Sequence, residues 1–158
     1  MFVAGVAGVL AACGTPPGTL ETDVRAYLAR TKQWAPVEGE TARTIERILR
    51  TQFVDEPEVR RQIVDGRPRV SAHLDAARAY TPVSAEVRRI HARYVHAWEV
   101  LLGGWDAIEA GFDTGDYTRL ARGREAMAEW RATMLDVARD LRELAHRFGI
   151  DPAAAMGT

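Results

Sequence analysis

The chain has 158 residues, of which 47% are hydrophobic, and its 21 basic and 22 acidic side chains leave a formal net charge of -1. This length and composition allow one domain with a substantial core. The charge balance argues against a nucleic-acid-binding protein, which usually has a basic excess on one face. The only cysteine, Cys13, excludes an internal disulfide or a site built from several cysteines.

A run of small, apolar residues, 2–12, comes first in the chain. It is too short to cross a bilayer, which takes ~20 residues, but it has the length of the apolar part of an export signal. It ends in Leu10-Ala11-Ala12-Cys13, which resembles the lipobox of bacterial lipoproteins. The resemblance implies that residues 1–12 are a signal peptide, cleaved before Cys13. No basic residue precedes the run, so we expect the natural start codon to lie further upstream.

The same resemblance implies a location and a partner. In this family the cysteine sulfur carries a diacylglyceryl group, so membrane lipid is the expected partner, and two or more acyl chains give stable anchoring. Residues 13–18 contain two prolines and two glycines and are predicted to form a short tether. Gly14 after the cysteine is typical of lipoproteins sent to the outer membrane, facing the periplasm, in cells with two membranes. The alternative is a short apolar helix with an incidental cysteine.

Residues 19–150 are predicted to form one all-α domain, an antiparallel bundle of about four main helices. The first helix is expected from Thr19 to Trp34, with Ala35-Pro36 ending it. The second is expected to be long: it runs from Val37 to Val54, restarts at Asp55-Glu56-Pro57 with proline at the first helical position, and continues to Tyr80. We expect kinks near Pro57 and Pro68, and no reversal at Pro68, because the apolar stripe stays in phase across Gly66 and Pro68.

The third helix is predicted to open at Thr81-Pro82, and the residues 111–116 are predicted to form a turn before the fourth. Apolar residues recur at steps of three and four in both helices, so the two should pack antiparallel. Matching their stripes places Trp98 against Trp130 and Gly104 against Gly123. Residues 151–158 are expected to be a disordered tail.

Few residues have a spacing that suggests metal chemistry. Glu143 and His146 have the Glu-x-x-His spacing of di-metal bundles, but there is no second copy and both fall on the outer face of the fourth helix. His91 and His96 are about 140° apart around a helix and cannot share one metal. Residues 113–116 resemble the opening of a calcium loop without its later ligands. We therefore expect no metal and no cofactor.

The aromatic residues are the best candidates in the sequence for contacts with a partner or a small ligand. Four tryptophans and a tyrosine on the apolar stripes could pack as ordinary core or line a cavity for a small ligand. Trp105 flanks its stripe and is predicted to be exposed, as is His73. The candidate contacts to a partner or ligand are Tyr94, His91, Trp98, Trp105 and Trp130.

The sequence contains no recognisable catalytic constellation, so we expect a protein that is not an enzyme. The favoured hypothesis is an envelope lipoprotein whose helical bundle acts through contacts with an unidentified protein, as a scaffold, an adaptor or an inhibitor. The alternative is a carrier or sensor of a small apolar ligand. A metal-dependent enzyme, which would depend on Glu143 and His146, is the least favoured hypothesis.

Overall fold

The computed structural model describes residues 17–51 and 53–152, and these form an all-α bundle. Its four helices are α1 (Pro17–Arg50), α2 (Glu56–Ala79), α3 (Ala85–Thr114) and α4 (Tyr117–His146). The all-α class and the number of main helices are confirmed. Cys13, the predicted leader and residues 153–158 of the predicted tail lie outside the described residues. Within the described ranges, no helix is both long enough and apolar enough to cross a membrane.

Pro36 lies inside α1, so the predicted end of the first helix at Ala35-Pro36 is wrong. A proline in a helix interior costs ~3 kcal/mol, because it removes a backbone hydrogen bond and crowds the preceding turn. Burial on both sides outweighs this cost. Trp34 is buried before the proline and Ile45 and Ile48 after it, on the same face of the helix. The chain therefore continues in one direction for 34 residues.

The chain leaves the helical conformation after Arg50, so residues 37–50 belong to α1, and the predicted single long helix kinked near Pro57 is wrong. Phe53 has a φ of 60°, in the left-handed region, and it lies in the connection between α1 and α2. Asp55 then caps α2 by accepting a hydrogen bond from the Glu58 amide at 3.1 Å. The predicted restart at Asp55-Glu56-Pro57 is confirmed: Pro57 lies in the first turn of a new helix, where no amide donor is needed, and does not kink an existing one. As predicted, α2 runs through Pro68 without reversing.

The start of α3 is fixed by a contact with α1. The carboxylate of buried Asp23 accepts hydrogen bonds from the Val83 amide (3.2 Å) and from the amide and hydroxyl of Ser84 (2.7 and 2.6 Å). Ser84 also caps the helix by accepting from the Val87 amide. The helix therefore begins at Ala85, three residues after the predicted opening at Pro82.

The turn between α3 and α4 lies within the predicted residues 111–116 but is shorter, because residues 111–114 still belong to α3. Gly115 ends α3 with a φ of 67°, in the left-handed conformation that glycine adopts at little cost. Asp116 then caps α4 by accepting from the amide of Thr118 at 2.9 Å and from that of Arg119 at 3.4 Å.

The predicted register of α3 and α4 is confirmed. The rings of Trp98 and Trp130 meet edge to face, with centroids 5.3 Å apart. Gly104 faces Gly123 so closely that a Cβ added to Gly123 would lie 2.7 Å from the Gly104 carbonyl oxygen, and would also overlap Ile108. The two glycines therefore allow the backbones of α3 and α4 to approach each other. Consecutive helices are joined by short connections and pack against each other, so the bundle is antiparallel.

We expect Gly123→Ala to lower the free energy of unfolding by about 1–3 kcal/mol, because the added methyl group overlaps backbone and Ile108 atoms in a packed interface. Gly103→Ala is the matched control. Nothing lies within 4 Å of the Cβ it would add, so it should raise stability by about 0.5–1 kcal/mol through higher helix propensity. Urea denaturation of both variants measures the difference. Equal stabilities would contradict the close α3–α4 contact.

Candidate functional site

The interior of the bundle is rich in aromatic rings and imidazoles where α1, α2 and α3 meet. We call this group the aromatic cluster; its members are Tyr27, Trp34, His73, Tyr80, His91, Tyr94 and Trp98. Trp34 stacks on Tyr94 with ring centroids 5.0 Å apart, and His73 lies against Trp98 at 4.4 Å. All members except half-buried Tyr80 are buried. Buried imidazoles need hydrogen-bond partners, and the cluster provides them.

His91 is held in one tautomer by its two partners. Its Nε2 lies 3.0 Å from the Ala77 carbonyl oxygen, and a carbonyl can only accept a hydrogen bond, so Nε2 carries the proton. Its Nδ1 then accepts from the hydroxyl of Tyr27 at 3.1 Å. Burial lowers the pKa of His91, so the neutral form that this arrangement needs is the favoured one.

A second set of hydrogen bonds leads from the interior towards the surface. The Tyr94 hydroxyl donates to Oε1 of Glu38 at 2.7 Å. It has only one proton to give, so the Nε2 of His73, 2.6 Å away, must donate to the Tyr94 oxygen. We call these three residues the His73–Tyr94–Glu38 chain. It joins α2, α3 and α1 and ends at a half-buried carboxylate.

Burial shifts the protonation equilibria of this chain. It lowers the pKa of His73 to about 4, so that its imidazole is neutral at neutral pH. It raises the pKa of Glu38, and the hydrogen bond from Tyr94 offsets part of that rise. Burial also raises the pKa of Tyr94, and the neighbouring Glu38 carboxylate adds to the effect. Burial therefore disfavours the charged form of every member, and Glu38 holds its proton to a higher pH than an ordinary glutamate does.

A cleft opens between α1 and α4 at the end of this chain; we call it the α1–α4 cleft. Its volume is about 130 Å³. Glu38 and Tyr94 contribute its polar atoms from the interior, and small side chains on both helices leave the space. The lining is otherwise mostly apolar and consists of Leu28, Thr31, Ala35, Met134, Val137, Ala138, Leu141, Arg142 and Pro152.

A second, more open depression continues the cleft along the same two helices. Its volume is about 310 Å³, and it shares Glu38 and Met134 with the α1–α4 cleft. Its other lining residues are Gly39, Ala42, Trp130, Arg131 and Leu135. Glu38 therefore lies where the two depressions meet, and its carboxylate is the acidic group available to a molecule bound in either.

The structure brings four of the five predicted contact residues into or next to this site. Tyr94 lines the cleft, Trp130 lines the adjoining depression, and His91 and Trp98 belong to the aromatic cluster behind it. The prediction that Trp105 is exposed is wrong, because it is fully buried. Its indole packs over Gly66 of α2, which has no side chain to occupy that space.

The prediction that His73 is exposed is wrong as well. His73 is buried against Trp98, because α3 and not solvent covers that side of α2. Glu143 and His146 are exposed on α4, as predicted. Among residues 17–51 and 53–152, no three His, Cys, Asp or Glu side chains are grouped closely enough to hold a metal ion.

The sequence did contain a signal for Glu38. Trp34, Glu38, Thr41 and Ile45 follow steps of four, three and four, so a carboxylate occupies a position on a buried stripe of one helix. The predicted break at Pro36 hid this pattern by placing Trp34 and Glu38 on different helices. The hydrogen bond between Tyr27 and His91 joins residues that are 64 positions apart on different helices, so the sequence did not predict it either.

A further feature lies at the end of the bundle where α1 meets α2 and α3 meets α4. Val54 and Tyr117 are exposed there, by 86% and 83%, beside the left-handed Phe53. We call this surface the tip patch; it surrounds a depression of about 460 Å³ lined by Phe53, Val54, Tyr117, Leu120, Ala121 and Arg124. The tip patch is at the opposite end of α1 from Pro17, about 50 Å away at ~1.5 Å per residue.

Comparisons of this chain with protein-family models, with curated proteins and with solved structures find no match.

Proposed function

We propose that this protein is a non-enzymatic binding protein that holds a small, largely apolar molecule in the α1–α4 cleft. The observation that carries the proposal is the cleft itself, with an apolar lining and the His73–Tyr94–Glu38 chain ending in it. Its volume is close to that of an apolar protein cavity of ~150 Å³ that binds benzene. This favours the carrier or sensor hypothesis over a function through protein contacts alone.

The energetics of the chain support the same proposal. Burying a carboxylate and an imidazole costs free energy, whereas apolar side chains of similar volume would often stabilise the core equally well or better. The polar groups are therefore better explained by a task at the cleft than by the stability of the bundle. In the described part of the cleft, Thr31 donates its hydroxyl proton to the Leu28 carbonyl and not to a base. The Tyr94 hydroxyl does contact the Glu38 carboxylate, but burial raises the pKa of Tyr94, so it keeps its proton. This favours binding over catalysis.

We expect the purified full chain to bind benzyl alcohol, a single-ring probe that fits the cleft, with a Kd on the order of 1 mM. Amide chemical shifts should change around Glu38, Tyr94 and Met134. Ala138→Phe should abolish binding, because Ala138 is an exposed cleft residue whose enlargement fills the space without disturbing the core.

Ala132→Phe is the matched control, since Ala132 is exposed on the same helix and does not line the cleft. It should bind the probe like the unmodified chain. Binding that survives Ala138→Phe, or shift changes confined to another surface, would contradict the proposed site.

The location that we propose is the cell envelope, with Cys13 carrying the lipid and residues 1–12 removed. The supporting observation is the lipobox-like Leu10-Ala11-Ala12-Cys13. Mass spectrometry of the protein isolated from its native membranes should find an acylated Cys13 at the amino terminus, and Cys13→Ser should release the protein from the membrane. An unmodified Cys13 within an intact leader would refute this location.

A second candidate function is contact with another protein through the tip patch. The observation that favours it is the pair of exposed side chains Val54 and Tyr117 beside Phe53, whose left-handed backbone is rare for an aromatic residue. Exposed apolar groups that cluster around a depression are typical of interaction surfaces. If Cys13 is lipidated, this surface faces away from the membrane.

A photo-cross-linking side chain introduced at Val54 should then give a discrete protein adduct in intact envelopes, and Tyr117→Ser should reduce that adduct severalfold by removing an apolar anchor. The same cross-linker at Val64, an exposed valine on α2 outside the tip patch, is the control and should give none. Equal adducts from both positions would argue against a specific partner at this end of the bundle.

A further inference from the structure

Glu38 is half-buried and, unlike most of the other half-buried carboxylates on the described helices, has no cationic partner. Among the described residues, no arginine, lysine or histidine nitrogen lies within 4 Å of its carboxylate. By contrast, Glu40, two residues away, pairs with Arg69 at 2.9 Å. The group that binds Glu38 is the neutral hydroxyl of Tyr94, and it uses Oε1. A carboxylate removed from water in this way lacks the counter-charge that would stabilise its ionised form.

We propose that the molecule bound in the α1–α4 cleft is a small organic ammonium compound, whose charged nitrogen pairs with Glu38 while its apolar body lies along Leu28, Val137 and Leu141. This inference rests on the proposed binding function and names the class of ligand. Tyr94 holds one carboxylate oxygen in place, and the other oxygen is available to the ammonium group.

The other ionisable groups around Glu38 do not supply the missing positive charge. His73 on α2 and His91 on α3 belong to the buried aromatic cluster and are neutral, and Tyr27 and Tyr94 keep their protons. On α4, Arg131 and Arg142 line the two depressions, but neither forms an ion pair with Glu38. A bound cation would therefore complete the electrostatics of the site.

The raised pKa of Glu38 gives this proposal a pH dependence with a definite sign. In the free protein, burial makes Glu38 hold its proton to a higher pH than an ordinary glutamate. A bound ammonium group stabilises the Glu38 carboxylate, so the pKa of Glu38 is lower in the complex than in the free protein. Between these two pKa values, binding of the ammonium group releases a proton. Affinity for the cation should therefore fall as the pH drops through the pKa of Glu38 in the free protein. Affinity for a neutral ligand of the same shape should not fall in this way.

Benzylamine and benzyl alcohol form a matched pair of probes, because they share one shape and differ in charge. We expect isothermal titration calorimetry at neutral pH to show that the full chain binds benzylamine about tenfold or more tightly than benzyl alcohol. Glu38→Gln, which keeps an acceptor for Tyr94 and removes the charge, should abolish this preference. Glu21→Gln is the control on the same helix, since Glu21 pairs with Arg25 at the surface, and should preserve it.

The outcomes separate this inference from the proposed function. Equal affinity for the two probes, unchanged in Glu38→Gln, would overturn the ammonium assignment and leave the binding function standing. Failure of both probes to bind would overturn the binding function and the inference with it. If Glu38→Gln does not fold, the unmodified chain still decides: benzylamine affinity that does not fall with pH relative to benzyl alcohol would overturn the assignment.

Discussion

The hydroxyl of Tyr94 is the point at which three helices are joined by polar contacts. It belongs to α3, accepts from His73 of α2 and donates to Glu38 of α1. A single proton on this oxygen fixes which neighbour donates and which accepts. The tautomer of His73, the orientation of the Glu38 carboxylate and the relative position of the three helices therefore depend on one another. Such a network specifies one packing arrangement more sharply than apolar contacts alone do.

The position of the cleft follows from unequal packing around this network. α3 and α4 approach closely through Gly104 and Gly123 and are further locked by Trp98 against Trp130. Between α1 and α4, by contrast, small side chains such as Ala35 and Ala138 face each other and leave space. The bundle thus combines a closely packed α3–α4 pair with a looser α1–α4 interface. Glu38, the acidic end of the His73–Tyr94–Glu38 chain, lies in the α1–α4 cleft at that interface.

The helix class, the α3–α4 register and the turn at Gly115 could be predicted from the sequence because each depends on local spacing and on residues with specific backbone preferences. The helix boundaries around Pro36 and Pro82 could not, because they are set by tertiary contacts. Burial on both sides of Pro36 maintains α1, and Asp23 of α1 fixes where α3 begins. The candidate site could not be predicted for the same reason, since tertiary contacts decide which residues form it. Its residues come from all four helices, and a stripe of apolar residues along one helix does not show which side chains another helix covers.

Pro36 also has a mechanical consequence for the neighbouring site. A proline has no amide hydrogen, so the carbonyl of Lys32 lacks the donor that the next turn of a helix normally supplies. α1 is therefore least resistant to bending half a turn before Glu38, with Tyr27 on one side of this point and Glu38 on the other. Any bending of α1 would therefore be concentrated next to Glu38, and it would change the width of the cleft that Glu38 lines.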